Sequence, residues 1–268
     1  MKFFLPFIIV FFLSLSGFAQ RQFVVKTENY IPQFDTVNYY LPSSNDSLKK
    51  IPAVILLHGY DGSFRQWGRI CNLQKLSDEF QMILICPDGF KESWYINSPI
   101  RPRLRYSDFF FEDFLPQVFK TLPVDTASLF ITGLSMGGHG ALHLFSLKPE
   151  KFRAAGSISG VVDLRSSSVT NSLTKVLGVK NKTNENWDIF SAINNIEKFK
   201  AAGKPLIINC GSQDFLIGVN RTFAKKCTEE SIKIFYMESP GKHNKEYWNL
   251  LLPEQLRFFR QFVGKETN

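Results

Sequence analysis

Residues 128–147 read SLFITGLSMGGHGALHLFSL, and the order of residue types within them decides the fold. Leu129 to Thr132 is a short apolar run of strand length, rich in β-forming residues. Gly133-Leu134-Ser135-Met136-Gly137 is a tight turn, and Gly138 to Leu147 is an apolar helical segment that Pro149 stops. Strand, sharp turn and helix in that order make a nucleophile elbow. The turn strains the dihedrals of Ser135, and glycine two residues to either side removes Cβ atoms that would strike the neighbouring strand and helix. The Ser135 hydroxyl then stands clear of the sheet edge. The Met136 amide, at the helix start, points to the same place and is suited to hold a developing oxyanion. The alternative is a glycine-rich turn before an ordinary helix.

Outward from this stretch, strand and helix patterns alternate. Gln22 to Leu41 reads as two strands separated by Pro32-Gln33, a hairpin suited to the antiparallel edge of a mixed sheet. Ala53 to Leu57 is almost continuously apolar, the pattern of a strand buried on both faces, so helices must cover both sides of the sheet. Helical patterns at Gln66 to Phe80, Ser107 to Leu122, Gly138 to Leu147 and Phe215 to Cys227 alternate with five strand patterns. These are Met82 to Cys86, Leu129 to Thr132, Ala154 to Ser159, Pro205 to Cys210 and Ile232 to Met237. A last helix spans Glu246 to Val263, interrupted by Pro253. Eight strands with helices between them predict a doubly wound α/β sheet, whose sites lie at the carboxyl ends of strands. Leu164 to Lys200 breaks the rhythm; an insertion of that size at the strand ends is a lid, a pocket wall or a peripheral decoration.

The chain has 268 residues and a formal net charge of +8. It opens with Lys2, an apolar run from Phe3 to Leu13, and small residues ending Gly17-Phe18-Ala19-Gln20. That is the layout of a secretory signal peptide over residues 1–20, with an uncleaved anchor as the alternative. Cleavage near Ala19 or Gln20 leaves about 248 residues, enough for one α/β domain over 21–268 with a well-buried core. Such a product is exported to the periplasm or the exterior, without stable membrane insertion. The positive charge is spread along the chain, which makes it a solubility and steering feature; no basic, aromatic-interleaved helix points to nucleic acid. The one local cluster, Arg101, Arg103 and Arg105, meets an acidic ligand or forms a solvated loop. Cys71, Cys86, Cys210 and Cys227 show no C-x-x-C spacing and leave one unspecified disulfide open. Cys86 and Cys210 end apolar strands, where a free thiol packs as a small hydrophobe.

A serine hydroxyl is a poor nucleophile at neutral pH, so Ser135 needs a general base. Of four histidines, His58 ends the first buried strand and is expected to brace the following loop. His139 and His143 lie on the helix behind Ser135; their i, i+4 spacing lacks the adjacent glutamate of a zinc motif, and His139 is expected to pack. His243 sits in the loop Ser239 to Asn244, directly after the last strand, where a strand end delivers a side chain to the active edge. The base needs a carboxylate to hold its tautomer. Asp214 follows the strand Pro205 to Cys210 through Gly211-Ser212-Gln213; Asp163 is its rival, Asp188 is less well placed, and Asp214 is also positioned to cap a helix beginning at Phe215. The order Ser135, Asp214, His243 is one known for such triads. A second oxyanion donor is expected at the Tyr60 amide, after His58-Gly59. Tyr60, Trp67, Trp94, Tyr95 and Trp248 lie near predicted strand ends, where they line a sugar or phenolic site or belong to the core.

LLHGYDGSFRQW, ICPDGFKESWYINSP, GLSMGGHGAL, SISG, CGSQDFL and SPGKHNKEYW occur in this order over nearly all of residues 21–268. Together they resemble the esterase D and feruloyl-esterase-like branch of the α/β-hydrolases. That group includes S-formylglutathione hydrolases, acetyl and feruloyl esterases, tributyrin-type esterases and secreted mycolyltransferases. The resemblance implies an α/β-hydrolase fold with an eight-stranded, mostly parallel sheet and helices on both faces. It also implies a triad at Ser135, Asp214 and His243, with oxyanion donors at the Tyr60 and Met136 amides. Tyr60 departs from the glycine or leucine-like residue often found after His-Gly. The expected activity is that of an exported serine carboxylesterase, working through an acyl-enzyme without cofactor or metal. Its expected partner is a small-molecule or carbohydrate ester carrying a short acyl or feruloyl group. An acyltransferase of the mycolyltransferase type, an S-formylglutathione hydrolase-like thioesterase and an inactive binding module are the alternatives.

Overall fold

The structure, a computed structural model, describes residues 21–27, 29–44, 49–166 and 170–264. The signal peptide expected over 1–20 and the serines at 167 and 168 of the insertion lie outside these residues. The chain opens with β1 (Arg21–Val25) and β2 (Asp35–Tyr40), an antiparallel pair, as the sequence predicts. β3 (Ile51–Leu57), α1 (Gln66–Ile70), α2 (Leu73–Phe80) and β4 (Ile83–Cys86) follow. Next come α3 (Tyr106–Phe109), a π turn (Phe110–Phe114), α4 (Leu115–Thr121), β5 (Val124–Gly133) and α5 (Met136–Leu147). β6 (Ala154–Ile158) leads into α6 (Thr170–Leu177), α7 (Asn186–Ile189) and α8 (Ile196–Ala202). β7 (Leu206–Gly211), α9 (Ile217–Glu229), β8 (Ile234–Ser239) and α10 (Lys245–Arg260) complete it.

The eight strands form one sheet in the order β1-β2-β4-β3-β5-β6-β7-β8. β2 runs antiparallel to both its neighbours and every other pair is parallel. The chain moves from β3 outward to β4, then crosses back to β5 on the far side of β3. Strand order therefore reverses at β3, and the crevice above the carboxyl ends of β3 and β5 is where an open α/β sheet binds its ligand.

Strand periodicity separates two apolar layers. On β3, Ala53, Ile55 and Leu57 face one layer while Val54 and Leu56 face the other. β4 and β5 divide in the same way, with Ile83, Ile85, Leu129 and Ile131 against Leu84, Cys86 and Phe130. Ala141, Leu142, Leu144 and Phe145 of α5 and Phe223 of α9 close the first layer. Trp67, Leu73, Leu76 and Phe80, with Tyr247, Leu251, Leu252, Leu256 and Phe259 of α10, close the second. Each Val, Leu, Ile or Phe among them, fully buried, contributes about 1.5–3 kcal/mol of transfer free energy. All four cysteines are free and buried, so the disulfide left open by the sequence does not form here. Burial pushes the Cys71 and Cys227 thiols up to about 12, which keeps them protonated and unreactive.

Two helices expected as single segments are broken. Gln66 to Phe80 divides at Cys71-Asn72, because the Asn72 side chain accepts from the Lys75 amide at 3.0 Å and starts a second helix. Ser107 to Leu122 relaxes through the π turn just before Pro116, whose missing N–H removes a bond from the ladder. Pro253, expected to interrupt the last helix, lies inside a continuous α10. The carbonyl it leaves without a donor, that of Asn249, belongs to an exposed residue that water can serve. The described part of the 164–200 insertion is packed down. Leu173, Val176, Leu177 and Trp187 are buried, and Arg165 holds Asp188 through Nε and Nη2 while also reaching the carbonyls of Asn181 and Asn184. Ser98 Oγ donates to the Val176 carbonyl at 2.6 Å, tying α6 to the loop after β4.

Candidate active site

Four strand ends supply the site. Ser135 lies between β5 and α5 with φ 54° and ψ −115°, a strained conformation for a residue with a side chain. Its own amide donates to the Ile158 carbonyl at 3.0 Å, and its carbonyl accepts from His139 and Val161. The two flanking glycines show why this turn tolerates nothing larger. A Cβ on Gly133 would stand 2.4 Å from the Gly137 backbone, and one on Gly137 would stand 2.3 Å from the Leu57 carbonyl oxygen.

From Ser135 a hydrogen-bond chain runs through the site. Ser135 Oγ lies 2.9 Å from His243 Nε2, and His243 Nδ1 lies 2.9 and 3.1 Å from the two carboxylate oxygens of Asp214. The loops bearing the base and the acid are stitched together. The Ser212 amide donates to the Ser239 carbonyl and the Gln213 amide to the Gly241 carbonyl, each at 2.9 Å. Asn244 then caps α10 by accepting from the Tyr247 amide. Asp214 is 2% exposed and also accepts from the Leu216 amide at 2.9 Å. Burial pushes its carboxyl up, but the His243 hydrogen bond and charge, with the Leu216 amide, outweigh that and hold it below the ordinary carboxylate value. An ionised acid on Nδ1 keeps the proton there, so Nε2 is free to accept from the serine hydroxyl. Asp163 instead caps the Arg165 amide and Asp188 pairs with Arg165; neither is bonded to His243.

The loop after β3 lies against the nucleophile, since a Cβ on Gly59 would come 3.5 Å from Ser135 Cβ. His58 braces this loop. Its Nδ1 is 2.7 Å from the Gly59 carbonyl oxygen, and its Nε2 accepts from the Gly89 amide at 2.7 Å. The Gly62 amide also donates to the Gly59 carbonyl, at 3.1 Å. In a trans peptide C=O and N–H point in opposite directions, so pinning the Gly59 oxygen turns the Tyr60 N–H away from the brace. Among the described residues neither the Tyr60 nor the Met136 amide donates to a protein acceptor. Met136 opens a twelve-residue helix, where free amides and the helix dipole favour negative charge.

The aromatic residues divide sharply. Trp67, Trp94 and Tyr95, which the sequence offers as site-lining residues, are at most 1% exposed. Trp67 Nε1 donates to the Leu57 carbonyl at 3.0 Å, Trp94 Nε1 to Ser172 Oγ at 3.3 Å and the Tyr95 hydroxyl to the His58 carbonyl at 2.9 Å. So buried, they do not line a substrate site; proximity to a strand end in sequence does not reveal which way a side chain turns. Tyr60 is 38% exposed, and Trp248 stands edge-on to His243 with ring centroids 5.2 Å apart. Phe215, read from sequence only as the start of a helix, has its ring centroid 4.6 Å from that of His243. The one available signal was its place immediately after Asp214. His139 is buried as expected, between Trp94 and His143. An open groove of about 910 Å³ along α1 and α2, lined by Tyr40, Arg65, Arg69 and Asp78, includes no residue of the hydrogen-bond chain. No group of three or more potential metal-ligating side chains occurs among the described residues.

Comparison with known proteins places the chain in a family. The esterase family model, described as "Putative esterase", matches residues 29–259. An acetyl esterase of Caldicellulosiruptor saccharolyticus is 26% identical over 216 residues, covering 75% of this chain and 80% of that protein. The S-formylglutathione hydrolase of Mus musculus is 24% identical over 235 residues, covering 78% and 82%. Among solved structures, an S-formylglutathione hydrolase from Agrobacterium tumefaciens has a TM-score of 0.80 at 17% identity, covering 93% of this chain and 98% of that one. A ferulic acid esterase has a TM-score of 0.76 at 23% identity, covering 91% and 100%. These two establish the α/β-hydrolase fold. With the family match over most of its length, this chain belongs to the esterase family, as a carboxylic ester hydrolase of the esterase D-like branch of the α/β-hydrolases.

Proposed function

We propose that the protein is a serine carboxylesterase that removes short acyl groups, acetyl foremost, or feruloyl groups from carbohydrate esters through an acyl-enzyme. The observation that carries this reading is the unbroken chain from Ser135 Oγ through His243 to Asp214. Ser135 attacks the ester carbonyl while His243 takes its proton, and the amides of Tyr60 and Met136 hold the resulting oxyanion. His243 returns the proton to the departing alcohol, and water then repeats the sequence to free the acid. The acetyl esterase relative supports the acyl group, and the ferulic acid esterase fold neighbour keeps feruloyl esters in view. No step calls for a cofactor.

The S-formylglutathione hydrolase relatives favour a second reading, a thioesterase. Against it stands the inferred export of the chain, which rests on the apolar run Phe3 to Leu13 and the small residues after it. N-terminal sequencing of the protein recovered outside the cytoplasm should begin near residue 20 or 21; recovery only as a cytoplasmic, full-length chain removes that objection. Among the described residues no helix is long and apolar enough to cross a membrane.

The test is a set of initial rates on p-nitrophenyl acetate, butyrate and octanoate, methyl ferulate, acetylated xylan and S-formylglutathione. The Ser135→Ala protein is run beside the wild type. Loss of the nucleophile in such a triad costs about a million-fold in turnover. Retention of more than about a hundredth of wild-type activity by folded Ser135→Ala protein excludes the serine mechanism, while acyl transfer to an added sugar alcohol outrunning hydrolysis points to a transferase.

A further inference from the structure

Phe215 is 61% exposed, although it directly follows Asp214, which is 2% exposed. The short turn after β7 sends the carboxylate inward to His243 and the phenyl ring outward. That ring lies against the imidazole, with centroids 4.6 Å apart and planes at 47°. Trp248 meets the same imidazole edge-on, at 89°. The base is thus flanked by two aromatic rings, and Phe215 presents a large apolar surface to solvent beside the reacting atoms. Water leaves such a surface readily when a flat apolar partner covers it.

Which half of an ester meets this ring follows from where the proton goes. As the Ser135 Oγ–C bond forms and the alcohol C–O bond breaks, the proton taken by His243 Nε2 passes to the departing alcohol oxygen. The leaving alcohol must therefore lie beside His243, within reach of whatever flanks it. We propose that Phe215 is the platform for the alcohol half of the substrate, selecting esters of cyclic alcohols. A phenyl ring or the C–H face of a pyranose stacks on it. The assignment rests on the serine-esterase reading and adds to it the class of leaving group. The acyl half stays with Ser135 when the alcohol departs, so Phe215 discriminates between alcohols and not between acids.

The experiment compares kcat/KM for benzyl acetate, a mono-acetylated methyl xyloside and ethyl acetate, in wild type and in Phe215→Ala and Phe215→Tyr. The acyl group is common to all three, and benzyl alcohol and ethanol are alike in acidity. In Phe215→Ala the preference for each cyclic ester over ethyl acetate should fall roughly tenfold, the scale of one lost ring contact, chiefly through KM. Phe215→Tyr should restore it. Equal loss on all three esters would mean that Phe215 merely steadies His243, and an unchanged preference would mean that the alcohol does not touch it; either result overturns the assignment. Ethyl acetate turnover surviving Ser135→Ala would sink the underlying reading, so the two failures are told apart.

Discussion

Ser135 sits at positive φ because its neighbours leave no other path: glycine at 133 and 137 lets two backbones close on it, and any Cβ there meets backbone oxygen or carbon. In the proposed mechanism Asp214 contributes differently, by fixing which nitrogen of His243 carries the proton. Replacing it with Asn retains the shape but presents an amide N–H to Nδ1, which drives the proton to Nε2 and blocks acceptance from the serine. The expected loss in kcat is roughly four orders of magnitude, measured on a short acyl ester. A larger loss from Asp163→Asn than from Asp214→Asn would transfer the role to Asp163. That Ser135, Asp214 and His243 meet was readable from the sequence because each follows an apolar strand, and strand ends in an α/β sheet converge on one edge. The direction of aromatic side chains was not readable in that way. Trp94 and Tyr95 take positive φ in a loop whose path depends on helices distant in sequence, and they turn inward; Phe215 occupies the short connection between β7 and α9 and points out.

α5 carries the elbow at its start and two histidines one turn apart behind it. His139 is fully buried with neither ring nitrogen hydrogen-bonded, and burial, then the neighbouring His143, hold its pKa well below the ordinary histidine value. Burial and the charge of Lys198 push His143 down to about 3; its Nε2 lies 3.3 Å from Ser107 Oγ and its ring packs on Phe190. A histidine depressed on folding contributes stability that is complete above its unfolded value of about 6.5 and is lost as pH falls toward the folded one. In that window the unfolded chain binds protons that the folded chain refuses. The histidine contribution to unfolding free energy should therefore drop by at most about 1.4 kcal/mol per pH unit for each histidine below about pH 6.5, offset in part by Asp35, whose carboxyl burial pushes well up. Asp214, also depressed, adds its loss only below about pH 4. Urea titrations at pH 7, 6 and 5 measure this, and His143→Gln should show a shallower slope than wild type. Equal slopes would mean that His143 is protonated in the native protein. The helix behind the elbow was legible as an apolar segment stopped by Pro149. The break at Asn72 was less so, since a capping asparagine and an exposed helical asparagine look alike until the side chain is seen to accept from Lys75.

At the scale of the molecule, β3, β5, β7 and β8 each deliver one part of the proposed site: the Tyr60 loop, Ser135, Asp214 and His243. The parts lie far apart in sequence, and the parallel sheet holds their ends on one edge, so the geometry depends on strand order more than on any loop. Reversal of that order at β3 places the loop after β3 beside Ser135. Two apolar layers, divided by the alternation along β3, β4 and β5, make the frame rigid enough to hold a strained serine. The eight strands and their helices were legible as alternating apolar runs, whereas the packing of the 164–200 insertion was not, because its anchors, Ser98 and Asp188, lie outside any periodic pattern. This frame should present one activated serine, and covalent labelling reports it. Incubation with diisopropyl fluorophosphate followed by peptide mass spectrometry should place a single adduct on the peptide containing Ser135, with ester turnover falling in proportion to the label. An inactivated protein whose adduct lies elsewhere, or a protein fully labelled at Ser135 that still hydrolyses esters, would contradict it.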